Sequence, residues 1–195
     1  MGPHTHLEAA EARAVGEYLS MQSASRDLAL FLTAVDSMLR CSDLLALRVR
    51  DVRTASGRIR ERLQIGQQKT RSTLHPAVTL HTRQALQAFI PRVRKRPGDW
   101  LFTAEHRPRG PAISSGHYRD LVKRWVEAIG LDPTSYSSHS PRRTKPGRHG
   151  DRRVVTITVL QLLLGHKSPE TTIRYLGLNV LEAQDIALKH DLFAN

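Results

Sequence analysis

Residues 159–177 read VLQLLLGHKSPETTIRYLG, and this stretch predicts two helices joined by a short polar elbow. The first helix is apolar and ends at Gly165, because glycine best adopts the left-handed backbone that follows a helix. Ser168 then begins the second helix as its N-cap. His166 lies on the elbow and Tyr175 lies further along the second helix. We therefore expect both polar tips to face one cleft.

The composition points to a polyanionic partner. The 195 residues include 30 Lys and Arg against 18 Asp and Glu, a formal net charge of +12. This excess favours nucleic acid first and an anionic membrane surface second. No apolar run is long enough to span a bilayer, and the basic residues are spread along the chain, so we expect no membrane partner.

The cysteine and histidine content bears on redox compartment and metals. The single cysteine, Cys41, excludes an internal disulfide and a cysteine-based metal cluster, which favours the reducing cytoplasm. The first residues lack the charged start and apolar core of a secretory signal. Ten histidines are present, but no His-Glu-x-x-His or similar cluster occurs. We therefore expect no metal.

Hydrophobic periodicity predicts a mainly helical chain with a small antiparallel β-sheet, an α+β fold. Helical spacing marks an entry helix at 7–22, with an inner face of Leu7, Ala10, Ala14, Tyr18 and Leu19. A buried core helix follows, which Ser25 caps and which continues to Leu39. Alternating apolar residues over 58–80 predict two antiparallel strands joined by a polar hairpin.

The second half of the chain mixes regular and irregular patterns. A helix over 82–95 ends in the basic cluster Arg92, Arg94, Lys95 and Arg96. Ser114 caps a helix that runs to Ile129 before Gly130, with an inner face of Tyr118, Leu121, Val122, Trp125 and Val126. Residues 146–158 contain two glycines and a proline without helical spacing, which predicts an irregular segment.

Arg40 stands out because it lies directly between two apolar helices. Its neighbours on both sides belong inside the protein, so the charge needs a partner. Asp43 or Asp51 offers an internal ion pair, and an anionic ligand offers another solution. The sequence pattern leaves both explanations open.

Five further polar residues each have a structural explanation when taken alone. Lys69 fits a solvated hairpin lysine. His139 fits a helix cap, and Arg142 fits one more basic residue on the surface. His166 fits a hydrogen-bond donor to a local carbonyl where the first helix ends. Tyr175 fits a core or interface tyrosine. What needs another explanation is their occurrence together, in one order.

In that order the chain resembles the catalytic domain of the tyrosine recombinases, the phage integrase family. The resemblance extends from about residue 28 onward and is best at LLGHxxxxTTxxY, 163–175, and MLRCSDLLxL, 38–47. It implies the catalytic-domain fold of that family and site-specific DNA recombination or integration without a cofactor. Strands would be cleaved and rejoined through a 3′-phosphotyrosine intermediate. The matching residues are Arg40, Lys69, His139, Arg142, His166 and Tyr175.

The resemblance also assigns roles to these residues. Tyr175 would attack the scissile phosphate, and Arg40 and Arg142 would hold its non-bridging oxygens through paired guanidinium hydrogen bonds. Lys69 matches the position that protonates the leaving oxygen. His139 and His166 match the two positions that shuttle protons and hydrogen-bond the phosphate. Asp43, three residues after Arg40, is placed to orient it, and Arg71, Arg143 and Lys145 are candidate DNA contacts.

The expected domain organisation is an N-terminal extension or entry helix at 1–25 and a tyrosine recombinase catalytic domain at 26–195. Fewer than thirty residues precede the matching region, so we expect no room for the separate core-binding domain of the family. DNA binding should then be weak and salt-dependent. The expected partners are double-stranded DNA and further copies of the chain on DNA, in the cytoplasm of a bacterium or as part of a phage or mobile element.

A second hypothesis comes from the departures from the family pattern. A local reading-frame change in the gene is one explanation for the irregular segment at 146–158. Together with the expected lack of a clamp, it is compatible with a catalytically impaired, DNA-binding remnant of a mobile-element integrase. Such a remnant would bind DNA without forming a covalent product. Type IB topoisomerases share the same chemistry, but the spacing from His166 to Tyr175 favours a recombinase.

Overall fold

The computed structural model describes residues 5–66 and 73–149, the last five by their backbone alone. These residues form seven α-helices, a 3-10 turn and a two-stranded antiparallel sheet, which confirms the predicted α+β fold. The elements are α1 Ala9–Met21, α2 Ser25–Ser37, α3 Cys41–Leu45, α4 Val49–Val52, β1 Ile65–Gly66, β2 Thr73–Leu74, α5 Leu80–Arg92, α6 Ser115–Ala128, the 3-10 turn Pro133–Ser135, and α7 Ser140–His149. None of these helices is long and apolar enough to cross a membrane.

Helix α2 forms the centre of the core and confirms the predicted buried helix. It packs against α1, α5 and α7, and its Phe31 is 1% exposed. Two details of the prediction are wrong. Ser25 is the first helical residue, while the cap position is Ala24, which makes no side-chain hydrogen bond. The helix ends at Ser37 because Met38 adopts a left-handed backbone with φ of 50°.

Helix α6 agrees with its predicted boundaries and its predicted face. The Ser114 hydroxyl accepts the His117 N–H at 3.1 Å, and Gly130 follows the helix with φ of 82°. The residues expected inside are all buried, namely Tyr118, Leu121, Val122, Trp125 and Val126. The ring of Trp125 meets that of Phe31 edge to face, with centroids 5.7 Å apart. Helix α6 thereby closes the core that α2 begins.

Helix α1 is the predicted entry helix, and its inner face agrees with the prediction in part, since Leu7 and Leu19 are buried but Ala10 is not. The Glu8 N–H donates to Glu11 at 2.8 Å, which caps the first turn. Val15 and Leu19 are buried, whereas Ala10 is exposed. The stripe through Val15 and Leu19 follows the i, i+4 spacing, which turns Ala10 toward solvent. The helix packs on α2, α6 and α7.

The predicted small antiparallel sheet is present, with Ile65 opposite Leu74. The hairpin residues 67–72 between its strands lie outside the described residues. The predicted Lys69 and Arg71 belong to this hairpin, so their placement stays a prediction.

Helix α7 corrects the expectation of an irregular segment from Pro146 onward. Its backbone is helical through Pro146 and Gly147 to the last described residue. The helix packs on α1 and α2, and such tertiary contacts override weak local helix propensity. Pro141 lies in the first turn, where its missing N–H costs no helical hydrogen bond. Residues 150–195 lie outside the described part, together with the rest of the predicted irregular segment and the stretch 159–177.

Candidate active site

Arg40 stands at the N-cap of α3, just beyond the left-handed turn at Met38. Leu39 beside it is 2% exposed, so the arginine is anchored from within the core. The Nη1 atom of Arg40 is buried and has no hydrogen-bond partner among the described residues. A buried guanidinium nitrogen without a partner lowers stability. An anion bound here would remove that penalty.

The two carboxylates considered as internal partners do not pair with Arg40. Asp51 accepts the Arg48 N–H at 2.7 Å. Asp43 is 2% exposed and has interactions of its own, but the described ranges contain no ion pair between it and Arg40. The internal ion-pair explanation for Arg40 therefore finds no support. A role of Asp43 in orienting Arg40 stays a prediction.

The His139-x-x-Arg142 motif lies where α7 begins. The Ser137 hydroxyl accepts the His139 N–H at 3.2 Å, and the Ser137 N–H donates to the Ser140 hydroxyl at 3.0 Å. The Ser140 N–H in turn donates to the Ser137 carbonyl at 3.0 Å. These local bonds fix the turn that leads into the helix. His139 is exposed on this turn, whereas Arg142 is 4% exposed in the first turn of α7.

Packing places the Arg40 and His139 segments side by side. Helix α7 lies against α2, the helix that Arg40 follows. The Cys41 thiol hydrogen-bonds with the Ser138 side chain, and burial raises the pKa of that thiol. Cys41 is the neighbour of Arg40, and Ser138 is the neighbour of His139. The structure thus brings the chain segment of Arg40 next to the segment that begins α7.

The assembled residues can bind a phosphodiester. Guanidinium groups form paired, charge-assisted hydrogen bonds with phosphate oxygens, and an exposed imidazole can donate or accept a proton near neutral pH. Arg143 continues the basic character, with its N–H bonded to the His139 carbonyl at 3.1 Å. The described part of this site carries three arginines and one histidine.

Asp36 is a residue that sequence reasoning missed. It is 6% exposed at the end of α2, one turn before Arg40. Its Oδ2 accepts the Thr79 N–H and the Thr82 hydroxyl, both at 2.6 Å. These bonds tie the end of α2 to the start of α5. A carboxylate inside an apolar helix was the available signal, but its partners lie more than forty residues away in sequence.

The remaining predicted site residues lie beyond what the structure describes. They are Lys69, Arg71, His166 and Tyr175. Lys145 lies on the backbone of α7, and its side chain is not among those described. The catalytic and DNA-contacting roles of all these residues stay predictions.

Most of this chain matches a known protein family. The model of the phage integrase family matches residues 6–182. The probable integrase/recombinase YoeC of Bacillus subtilis strain 168 is 29% identical over 165 residues, which cover 85% of this chain and 84% of that protein.

Solved structures share the fold at lower sequence identity. The crystal structure of XerA recombinase superposes with a TM-score of 0.77 at 19% identity, covering 99% of this chain and 68% of the XerA chain. XerH site-specific recombinase bound to its difH substrate gives 0.72 at 20% identity, covering 94% of this chain and 52% of that chain. A lambda integrase dimer bound to a core site gives 0.65 at 20% identity, covering 90% and 49%.

Proposed function

Because the chain belongs to the phage integrase family, we propose that it recombines DNA at specific sites through a covalent link to Tyr175. The phenolic oxygen attacks the scissile phosphorus, a 3′-phosphotyrosine bond forms, and the 5′-oxygen leaves as a hydroxyl. A 5′-hydroxyl of another strand then attacks the same phosphorus and releases the tyrosine. The phosphotyrosine conserves the bond energy, so rejoining requires no nucleotide.

One observation carries this proposal, namely the buried and unpartnered Nη1 of Arg40. A purely structural arginine in this position would be expected to have a carboxylate or carbonyl partner. The segment of His139 and Arg142 lies next to it. A scissile phosphate supplies the missing acceptor, and its non-bridging oxygens gain charge as the tyrosine attacks. Guanidinium donors fixed before reaction stabilise that charge.

The described tyrosines support Tyr175 as the nucleophile. The chain has four tyrosines. Tyr118 is 1% exposed, and burial raises its pKa strongly. The pKa of Tyr136 is also raised, by burial and by Glu11. Tyr18 lies on α1, beside the Arg26–Asp27 pair in a cleft of about 300 Å³. Tyr118 and Tyr136 are therefore buried phenols with raised pKa values, and Tyr18 lies in a cleft that Arg40 does not line. None of the three is placed to attack a phosphate held by Arg40.

Proton transfer completes the proposed chemistry. A phenol has a pKa near 10, so attack at neutral pH needs a base or a positive field. Arg40 and Arg142 supply the field, and His139 on its exposed turn supplies an imidazole that can exchange protons. The family positions of Lys69 and His166 add the acid for the leaving oxygen and a further phosphate ligand.

We also propose duplex DNA as the partner, with several copies of the chain assembling on it. The net charge of +12 supports a polyanionic partner. Structural relatives include XerH in complex with difH DNA and a lambda integrase dimer on its core site. Two strands must be exchanged between two duplexes, which one nucleophile per chain cannot do alone.

The test is covalent trapping on nicked duplexes of randomised sequence, in which the cleaved fragment diffuses away. We expect an SDS-resistant protein–DNA adduct with the unmodified chain and none with Tyr175→Phe. Tyr18→Phe is the matched control, because it removes a hydroxyl from a tyrosine on α1. It should form as much adduct as the unmodified chain.

Two results would contradict the proposal. One is a folded chain that binds the duplexes and forms no adduct at low salt, as a catalytically impaired remnant would. The other is an adduct that persists in Tyr175→Phe, which would assign the nucleophile elsewhere. Circular dichroism of each variant verifies that the fold is retained.

A further inference from the structure

A basic cleft lies at the end of α5, and none of its residues belongs to the candidate active site. The cleft has a volume of about 470 Å³ and opens widely to solvent. Its lining residues are Val93, Arg94, Arg107, Pro108, Arg109 and Gly110. All three arginines are exposed. We refer to this feature as the arginine cleft.

Hydrogen bonds hold the two walls of the arginine cleft together. Lys95 is 7% exposed, whereas the other members of its basic cluster, Arg92, Arg94 and Arg96, are exposed. Its ammonium donates to the Thr103 hydroxyl at 2.8 Å and also to the Pro108 carbonyl. From the other side, Arg109 Nη2 donates to the Arg94 carbonyl at 3.2 Å. The cleft is therefore formed before any ligand binds.

Two backbone features keep the arginines at the cleft. Arg94 has a left-handed backbone with φ of 49°, at the position after a helix C-cap where glycine is favoured. Gly110 closes a turn by donating its N–H to the Arg107 carbonyl at 2.9 Å. A Cβ at Gly110 would lie 3.0 Å from the Cβ of Arg107, a close contact that favours glycine in this turn. Strain of this kind is retained where the surroundings demand that geometry.

The positive charge of the cleft is not neutralised by nearby carboxylates. Residues 92–110 contain six Lys and Arg but only Asp99 and Glu105 as acids. Asp99 accepts the Arg96 N–H at 2.7 Å, and Glu105 lies 3.9 Å from Arg26. None of the three cleft arginines forms a salt bridge in the part of the chain that the structure describes.

We propose that the arginine cleft binds the phosphate backbone of duplex DNA, independently of base sequence, and this proposal rests on the proposed function. A shallow, open cleft cannot enclose a small ligand, which normally buries most of its surface. An extended backbone of phosphates suits it better, because arginine pairs with phosphate oxygens.

The position of the cleft is suited to a second contact on the same duplex. Helix α5 begins beside Asp36, near Arg40, through the Thr79 hydrogen bond. The cleft lies at its other end, and 13 helical residues span about 20 Å. That length corresponds to about six base-pair steps of duplex DNA. The cleft would therefore hold DNA away from the scissile phosphate and leave the active site unobstructed.

The experiment measures how DNA affinity depends on salt. A fluorescein-labelled duplex of mixed sequence is titrated with the full chain at several KCl concentrations. The test variant carries Arg94→Gly, Arg107→Gln and Arg109→Gln. The matched control carries Arg13→Gln, Arg119→Gln and Arg124→Gln, which remove the same charge from exposed positions on α1 and α6.

We expect the slope of log K against log salt to become shallower by about 2 to 3 in the cleft variant, since each lost phosphate contact reduces it by about 0.9. The control should change it by less than half as much. An equal loss in both variants, or no loss in either, would overturn the proposal. Calorimetry with inorganic phosphate distinguishes binding of a DNA backbone from binding of a small free anion. Saturable phosphate binding that needs the cleft, with an unchanged DNA slope, would assign the site to a small anion and also overturn it.

A second measurement uses the unmodified protein, so it does not depend on the folding of a variant. Phenylglyoxal modifies accessible arginines, and mass spectrometry reads each site. Duplex DNA should protect Arg94, Arg107 and Arg109 more than Arg13; equal modification with and without DNA would contradict the proposal. Adduct formation through Tyr175 without cleft protection would leave the proposed function intact and remove this inference. Protection of the cleft arginines without an adduct would support this inference and contradict the proposed function.

Discussion

Two arginines at opposite ends of α2 show two different uses of a buried charge. At the start of the helix, Arg26 is 8% exposed and donates to Asp27 through Nε at 2.7 Å. Its Nη1 lies 3.4 Å from the Thr103 carbonyl, and Trp125 donates to the same Asp27 at 3.1 Å. Beyond the end of the helix, Arg40 has a buried Nη1 without a hydrogen-bond partner among the described residues.

The difference separates a structural arginine from one that awaits a ligand. The charge of Arg26 is compensated inside the protein, so it stabilises the packing of α2 on α6 and the loop at 103–105. Arg40 is half-buried, and its Nη1 is buried without a hydrogen-bond partner among the described residues, which favours anion binding at that atom. Breaking the Arg26–Asp27 pair should therefore lower the free energy of unfolding, whereas removing the Arg40 side chain should lower adduct formation.

The largest expected effect is on stability at the Arg26 end. Asp27→Ala leaves a buried guanidinium and the Trp125 N–H without their acceptor, and breaking a buried pair costs about 3–5 kcal/mol. Urea unfolding followed by circular dichroism measures the loss. Asp120→Ala is the control, because Asp120 pairs with Arg119 at 3.5 Å on the surface, and should change stability by no more than about 0.5 kcal/mol. A loss of similar size in both variants would remove the distinction.

The next effect is on catalysis at the Arg40 end. Arg40→Met keeps an apolar stem but removes a donor to the scissile phosphate, so adduct formation should fall by on the order of 10²–10³-fold. Stability should change little, because Arg40 is half-buried and forms no salt bridge among the described residues. Single-turnover trapping and urea unfolding give the two values. A marked loss of stability with retained adduct formation would make Arg40 structural, like Arg26.

Local sequence patterns were sufficient where neighbouring residues decide the structure. The Ser114 cap, the inner face of α6 and Gly130 all depend on residues within one helix, and all were predicted. The helical course of α7 through Pro146 was not predicted, because packing on α1 and α2 outweighs the low helix propensity of its residues.

The candidate site divides in the same way. Its residue types and order resemble the family strongly enough to select Arg40, His139 and Arg142. The sequence cannot show that Nη1 of Arg40 lacks a hydrogen-bond partner among the described residues, because Asp43 and Asp51 are both close along the chain. Nor can it show that Asp36 reaches Thr79, since such contacts depend on how distant segments pack.

Asp36 is expected to affect both stability, like Arg26, and adduct formation, like Arg40. Asp36→Ala removes the acceptor of the Thr79 N–H and the Thr82 hydroxyl, and a buried donor left unsatisfied costs about 1–3 kcal/mol. The loosened end of α2 should also reduce adduct formation. Thr82→Val removes only the hydroxyl partner and should cost about 1 kcal/mol. If Asp36→Ala lowers stability and leaves adduct formation unchanged, the two ends of α2 are independent.

The smallest expected effect concerns Arg94, an exposed arginine that is held at a cost in backbone energy. Arg94→Gly should raise stability by about 0.5–1 kcal/mol, because glycine adopts a positive φ without steric penalty. Ser23→Gly, at φ of 53°, should give a similar gain and serves as the control without a charge. Thermal unfolding detects either as an increase of about 2–4 °C per kcal/mol. A loss of stability in Arg94→Gly alone would mean that its side chain stabilises the fold.

The packing of α7 on α2 also has a consequence for synthesis of the protein. About a hundred residues separate Arg40 from Arg142, and Tyr175 follows later still. A ribosome that has translated only the first half of the chain carries Arg40 without its partner segment or its nucleophile. Under the proposed function, a truncated product is therefore able to attract DNA but unable to cut it. Under that function, the order of the residues along the chain delays strand cleavage until Tyr175 has been translated.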